Sequence, residues 1–93
     1  QIGKYGRMRR SYLKEYRKIL YNNYVLEGTL FKHLAGLDQA CNERMKNIVS
    51  AMAKQEGVTE ALKAADQIEW VRRMNSICNR AEEIVLHELV YDL

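Results

Sequence analysis

Positively charged side chains are concentrated at the start of this chain. The first eighteen residues, QIGKYGRMRRSYLKEYRK, contain seven of the fifteen Lys and Arg residues and one of the twelve acidic residues. This segment carries a net charge of +6 within a chain of +3, so the remaining residues carry −3. Such a block attracts phosphate groups or acidic protein surfaces whatever the fold. Five tyrosines interleave with these charges or directly follow them: Tyr5, Tyr12, Tyr16, Tyr21 and Tyr24.

The two histidines and two cysteines do not form a catalytic or metal-binding pattern. Neither His33 nor His87 is flanked by an acid and a nucleophile in the way that a triad requires. Cys41 and Cys78 fall on apolar stripes, and the chain contains no CxxC, HExxH or Glu-x-x-His spacing. We interpret both cysteines as core thiols. We therefore predict that the protein is not an enzyme and binds no metal ion or cofactor.

Length and composition favour one small domain inside the cell. The chain has 93 residues, of which 47% are hydrophobic and 29% are charged, enough for a single thin core. No window has the apolar length of a membrane span, and the first residues lack the apolar run of a signal peptide. Two widely separated cysteines in such a chain indicate reduced thiols. We expect a cytoplasmic protein that does not bind membranes and whose sequence continues upstream of Gln1.

Apolar residues recur three and four positions apart nearly throughout, and the chain contains no proline. This pattern predicts helices over about 7–27, 29–56, 60–65 and 67–91. Gly28 and Gly57 should end the first two helices. Gly36 offers an alternative break within the second helix, but the apolar periodicity continues through it. We predict an all-α, elongated bundle in a single domain. It has three long helices and one short helix. The first two helices form an antiparallel hairpin, and the last helix packs along this hairpin as the central helix of the core.

Threonines and an aspartate stand where helix N-caps are expected. Thr29 and Thr59 precede the second and third predicted helices, and Asp66 is followed three residues later by Glu69, as in a capping box. Cys78 lies in the broad apolar stripe of the last helix.

The basic block becomes a stripe when the first helix is drawn at 100° per residue. The expected apolar face contains Met8, Tyr12, Tyr16, Ile19, Leu20 and Leu26. The opposite, cationic face contains Arg7, Arg10, Lys14, Arg17, Lys18 and Tyr21. Arg9 and Asn23 fall on the apolar side, where we expect the long stem of Arg9 to reach outward and Asn23 to be a core amide. With Lys4 at the helix start, these cations and Tyr21 are the predicted nucleic-acid-binding residues.

Three segments resemble the TnpV family of proteins encoded by bacterial transposons. They are IGKYGRMRRSYLKEYRKILYNN, EGVTEALKAADQIEWVRRMNSI and NRAEEIVLHELVY, which together span nearly the whole chain. The most distinctive pieces are GRMRR at 6–10, GVTEALKAADQ at 57–67 and WVRRMN at 70–75. The resemblance implies an accessory protein of a mobile element that acts beside a site-specific recombinase. It implies no mechanism.

Several functions agree with these features. The leading hypothesis is nucleic-acid binding, to DNA in the first place, by the cationic face of the first helix, where phosphate contacts would position the protein without reading sequence. The alternative is a protein-interaction or oligomerisation module that docks on a recombinase or another partner, without nucleic-acid contact. The cationic face would then serve that docking, or only solubility.

Two further regions of the sequence could form binding surfaces. A helix-turn-helix over 59–77 is disfavoured by the acidic start of its second helix, while Arg72 and Asn75 are secondary surface candidates. A homodimer would use the leftover apolar residues Phe31, Val25 and Ile68.

Overall fold

The computed structural model describes residues 2–92, and over this range the chain is helical and contains no β-strand. The elements are α1 (Lys4–Tyr16), α2 (Lys18–Glu27), α3 (Leu30–Gln55), α4 (Glu60–Ala65) and α5 (Gln67–Val85). A π-helical turn, Leu86–Val90, continues directly from α5. The body measures 55 × 21 × 18 Å, which confirms the prediction of an elongated all-α fold.

Glycines end two of the helices, as their positions in the sequence predict. Gly28 and Gly57 adopt left-handed backbone conformations, with φ of 70° and 72°, which residues with a Cβ rarely adopt. After α2, the amide of Thr29 donates to the carbonyl of Tyr24 at 3.0 Å, the bond that closes a Schellman motif. The same arrangement after α3 places the side chain of Val58 in the interior. These motifs turn the chain sharply without leaving the last carbonyls unsatisfied.

Side chains cap α4 and α5 as predicted. The hydroxyl of Thr59 accepts from the amide of Leu62 at 3.2 Å, and the carboxylate of Asp66 accepts from the amide of Glu69 at 3.1 Å. The predicted cap at Thr29 is wrong, because its hydroxyl accepts no such bond. Thr29 also belongs to the turn that ends α2. Its ψ of 5° therefore departs from the extended backbone that an N-cap normally has.

The predicted first helix over 7–27 is wrong in two respects. It begins earlier, at Lys4, and it is interrupted at Arg17, where φ is −134° and ψ is 57°. The completely buried Leu13 fixes α1 against the body, whereas α2 contains no buried residue. Four residues expected in the core are exposed instead: Tyr16, which precedes the interruption, and Ile19, Asn23 and Leu26, which follow it.

The central helix is α3 rather than α5. It runs without a break through Gly36 and contacts α1, α2, α5 and the π-helical turn. Ion pairs join Arg44 to Glu88 at 3.1 Å and Arg80 to Glu56 at 2.7 Å, so α5 runs antiparallel to α3. The main core cluster comes from α1, α3, α5 and the turn: Tyr5, Cys41, Ile48, Ala81, Val85 and Val90.

The two cysteines differ in their surroundings. Cys41 is completely buried, as predicted, whereas Cys78 is exposed and the prediction of a second core thiol is wrong. The buried residues of α5 are Ile77, Ala81 and Val85. The buried stripe of α5 is therefore narrower than the sequence pattern indicates, because α5 packs along one long partner helix.

Candidate nucleic-acid interface

The start of α1 is held by a carboxylate from α3. Gly3 occupies the N-cap position and has no capping side chain, so an oxygen of Asp38 accepts from the amide of Gly6 at 2.9 Å instead. A Cβ atom at Gly3 would lie 2.8 Å from Asp38, and one at Gly6 would lie 3.2 Å from the carbonyl oxygen of Leu34. The absence of side chains at both glycines therefore lets α1 approach α3 closely. This contact fixes the position of the basic residues that follow.

Arg9 lies inside the protein and not on the predicted binding surface. Only 6% of its surface is exposed, and its Nη1 atom donates to the carbonyl oxygens of Val90, at 3.0 Å, and Asp92. The expectation that its stem would carry the charge outward is wrong. The carbonyls at the end of the π-helical turn present partial negative charge at the place where the guanidinium arrives. Arg9 thus joins α1 to the last described residues.

Lys4 is exposed, but a carboxylate balances its charge. Its Nζ lies 2.8 Å from an oxygen of Glu82, which also accepts from the hydroxyl of Tyr5 at 3.2 Å. The hydrogen bond from Lys4 is the main cause that lowers the pKa of Glu82, with a smaller contribution from Tyr5. Burial, followed by the nearby Glu82, raises the pKa of Tyr5 to about 12. The main role of Lys4 is therefore to hold α1 against α5 through this ion pair.

Three cations of α1 form an uncompensated surface, which we call the basic face: Arg7, Arg10 and Lys14. Arg7 and Lys14 are exposed and Arg10 is half-buried. None of the three pairs with a carboxylate among residues 2–92. The Nζ atom of Lys14 lies 5.9 Å from the ring centre of Tyr21, so this tyrosine lies beside the basic face as predicted.

Arg17 and Lys18 are separated from the basic face by the interruption between α1 and α2. They line a surface groove of about 590 Å³ together with Glu15, Tyr16 and Ile19. Arg10 and Lys14 line a different groove. The single stripe of five cations drawn on an unbroken helix is therefore divided into two parts, because the phase changes at Arg17.

The second groove, which we call the α1–α2 groove, lies between α1, α2 and the start of α3. Its volume is about 350 Å³, and its lining contains two cations and no acidic residue. The remaining lining is largely apolar or aromatic: Tyr21, Tyr24, Val25, Gly28, Leu30 and Phe31. On the neighbouring side, Tyr24 stacks on His33 with ring centres 4.4 Å apart. The sequence predicts Tyr21 beside the basic face but not the groove, because the groove depends on how α2 turns.

The secondary candidates Arg72 and Asn75 are both exposed on α5. Arg72 and Arg73 each donate to the carboxylate of Glu69, Arg73 at 2.8 Å. These hydrogen bonds lower the pKa of Glu69 to about 2, with Arg72 as the first cause. The charge of Arg72 is therefore balanced by the carboxylate of Glu69, whereas the cations of the basic face have no such partner in the described range.

Titratable groups elsewhere have ordinary packing roles. Burial, followed by the charge of Arg9, lowers the pKa of His33. Burial is also the main cause that raises the pKa of Cys41 to about 11, so this thiol stays protonated at neutral pH. Over residues 2–92, no three His, Cys, Asp or Glu side chains are grouped to hold a metal ion. No helix in the same range has the length and apolar character to cross a bilayer.

Comparison with known proteins gives one relationship. The family model of the transposon-encoded protein TnpV matches residues 1–90 of the 93 residues. No curated protein and no solved structure matches the chain significantly. The matched range contains α1 to α5, the π-helical turn and the whole basic face. The chain belongs to the TnpV family of transposon-encoded proteins.

Proposed function

We propose that this protein is an accessory factor of a bacterial mobile element that binds nucleic acid, DNA in the first place, through the basic face. The observation that supports the proposal is a difference in how arginines are used. Each arginine beyond residue 18 pairs with a glutamate: Arg44, Arg72, Arg73 and Arg80. Arg7 and Arg10 pair with none in the described range. Phosphate groups are ligands that supply the missing negative charge.

The attachment of α1 makes its cations a rigid surface. Asp38 holds the first turn of α1, and Arg9 holds its middle against the carboxyl end of the π-helical turn. Arg10 and Lys14 are four residues apart, so their Cβ atoms lie ~6 Å apart along one side of the helix. Cations carried on a fixed helix lose less backbone entropy on binding than those of a disordered arm would lose. This function is exercised in the cytoplasm, where the DNA of the element resides.

The direct test is a titration of the protein against a random duplex at several salt concentrations. Binding through three cations releases about three condensed counterions, so the plot of log K against log salt should have a slope of about −3. The double variant Arg10→Glu with Lys14→Glu should weaken binding by more than about tenfold, because it replaces attraction by repulsion. A protein without measurable affinity for nucleic acid at low salt would refute the proposal.

The chain offers a matched control for this variant. Lys46 and Lys54 are exposed on α3 outside the α1–α2 groove, and neither pairs with a carboxylate in the described range. The double variant Lys46→Glu with Lys54→Glu makes the same change in net charge. It should keep the salt slope of the unchanged protein. Equal losses in both double variants would indicate attraction by net charge alone and would contradict an interface on α1.

A second candidate function is protein docking, with a recombinase of the same element, another partner or a second copy as the bound protein. The observation that favours it is the exposure of α2, where Ile19 is 81% and Leu26 is 84% exposed. Apolar side chains grouped in this way often mark interaction surfaces. The residues expected at a homodimer interface, Val25, Phe31 and Ile68, are also exposed. Sedimentation at increasing concentration tests self-association, which Ile19→Ser with Leu26→Ser should abolish.

A further inference from the structure

We propose that the α1–α2 groove receives an unstacked base, so that the preferred ligand is single-stranded nucleic acid rather than a duplex. This inference rests on the proposed function, since it assigns a ligand class to the same surface. The lining of this groove contains both cations and aromatic rings.

The size and lining of the groove suit one planar ring. Its volume of about 350 Å³ lies at the lower end of the range for small-ligand sites. Tyr21, Tyr24 and Phe31 supply aromatic faces, and Val25 and Leu30 supply apolar contacts. Phe31 is 66% exposed in the first turn of α3 and stacks on no other ring among residues 2–92. An apolar ring held in water beside a cavity is therefore open to stacking by a ligand.

The charges at the groove favour a negatively charged ligand. Among residues 2–92, the charged residues in the lining are Arg10 and Lys14, and both are cations. A nucleotide carries its phosphate beside its base, so one nucleotide would meet the cations with its backbone and the aromatic rings with its base. Proteins that bind single strands without sequence preference combine a basic path for the backbone with rings on which bases stack. The α1–α2 groove has both parts within one small cavity.

A duplex cannot use this site fully. Its bases are stacked inside the helix, and extruding one costs stacking and pairing energy. Only the phosphates of a duplex would reach Arg10 and Lys14, while Phe31 would remain without a partner. An acidic peptide with an aromatic side chain has related chemistry, but a docked helix normally uses several apolar anchors spaced over two turns. A cavity of this volume suits one ring better than such a row.

The test compares an oligothymidylate of about 15 nucleotides, an abasic strand of equal length and a duplex of equal length. Fluorescence anisotropy at one salt concentration gives the three affinities. The oligothymidylate should bind at least about tenfold more tightly than the abasic strand and the duplex, from the stacking of one base. Phe31→Ala should remove about tenfold of the affinity for oligothymidylate and leave duplex affinity and the salt slope unchanged. Val71→Ala, at a residue 42% exposed on α5, is the control and should change none of these values.

The outcomes separate this inference from the proposed function. Binding of oligothymidylate that is lost in the Arg10→Glu, Lys14→Glu variant but unchanged by Phe31→Ala would overturn the base site and keep the basic face. Absence of binding to all three nucleic acids would overturn both. Tighter binding of an acidic peptide of Glu and Tyr than of oligothymidylate would overturn the base site in favour of a protein partner.

Discussion

The guanidinium of Arg9 donates to the carbonyl oxygen of Val90 at 3.0 Å, across 81 positions of the sequence. One of the seven cations in the basic N-terminal segment is therefore a structural element of the core. Its role differs from that of Arg10, the next residue, which lies at the rim of the α1–α2 groove.

Replacement of Arg9 should destabilise the protein, whereas replacement of a surface cation should not. Arg9→Ala removes two hydrogen bonds from a charged donor and takes this partner from the buried carbonyl oxygen of Val90. We expect the free energy of unfolding to fall by about 2–4 kcal/mol. Arg7→Ala, at an exposed position on the same helix, should change it by less than about 0.5 kcal/mol. Urea denaturation followed by circular dichroism measures both, and similar values for the two variants would contradict the buried role.

The carboxylate of Asp38 should stabilise α1 in the way that an N-cap stabilises its own helix. Asp38→Ala removes the acceptor for the amide of Gly6 and should cost about 1–2 kcal/mol. Asp38→Asn keeps an oxygen acceptor and should recover much of that loss. Glu43→Ala, an exposed carboxylate on the same helix, serves as the control. Equal stability of Asp38→Ala and Glu43→Ala in urea would show that α1 does not depend on this contact.

Two glycines within helices should respond in opposite directions to the same substitution. A Cβ atom at Gly6 would lie 3.0 Å from the Cβ of Ile2 and 3.2 Å from the carbonyl oxygen of Leu34, so Gly6→Ala should destabilise by about 1–3 kcal/mol. Gly36 has no atom within 4 Å of that position, so Gly36→Ala should stabilise α3 by about 0.5–1 kcal/mol. Thermal unfolding of the two variants should give midpoint shifts of opposite sign. Shifts of the same sign would contradict the close approach at Gly6.

Stability should depend on pH through His33. Its pKa is lowered in the folded protein, because burial and the charge of Arg9 disfavour the imidazolium. The unfolded chain then binds the proton more readily, at its ordinary pKa of about 6.5. His33 therefore favours folding fully above that pH, and stability falls as the pH drops below it towards the folded pKa. His33→Phe keeps a ring against Tyr24 and should flatten this part of the profile of unfolding midpoint against pH. An unchanged slope would contradict the role of His33.

The sequence predicts the features of this fold that depend on neighbouring residues better than those that depend on contacts between distant residues. Gly28, Gly57, Thr59 and Asp66 act within a few residues of their own positions, and each forms the helix end that its residue type indicates. The interruption at Arg17 has no glycine or proline to mark it. Leu13 before it is completely buried and no residue of α2 after it is buried, a difference that the apolar periodicity does not show.

The sequence predicts only the part of the candidate site that depends on local helical periodicity. The outward direction of Arg7, Arg10 and Lys14 follows from their phase on one helix, and the structure agrees with it. The burial of Arg9 depends on carbonyl groups more than eighty residues away. Its phase on the apolar side of the helix is the signal in the sequence that indicates a buried position. Nucleic-acid binding itself remains a prediction until it is measured.

Helix α2 lines much of the α1–α2 groove but contributes no buried residue to the core. Helices held by few buried contacts open locally, at free energies below that of global unfolding. We therefore expect the backbone amides of α2 to exchange with solvent deuterium sooner than those of α1 or α3. A ligand seated in the groove would bridge α2 to both neighbours and slow that exchange. The groove would then be completed by its ligand, and part of the binding energy would be used to order the helix.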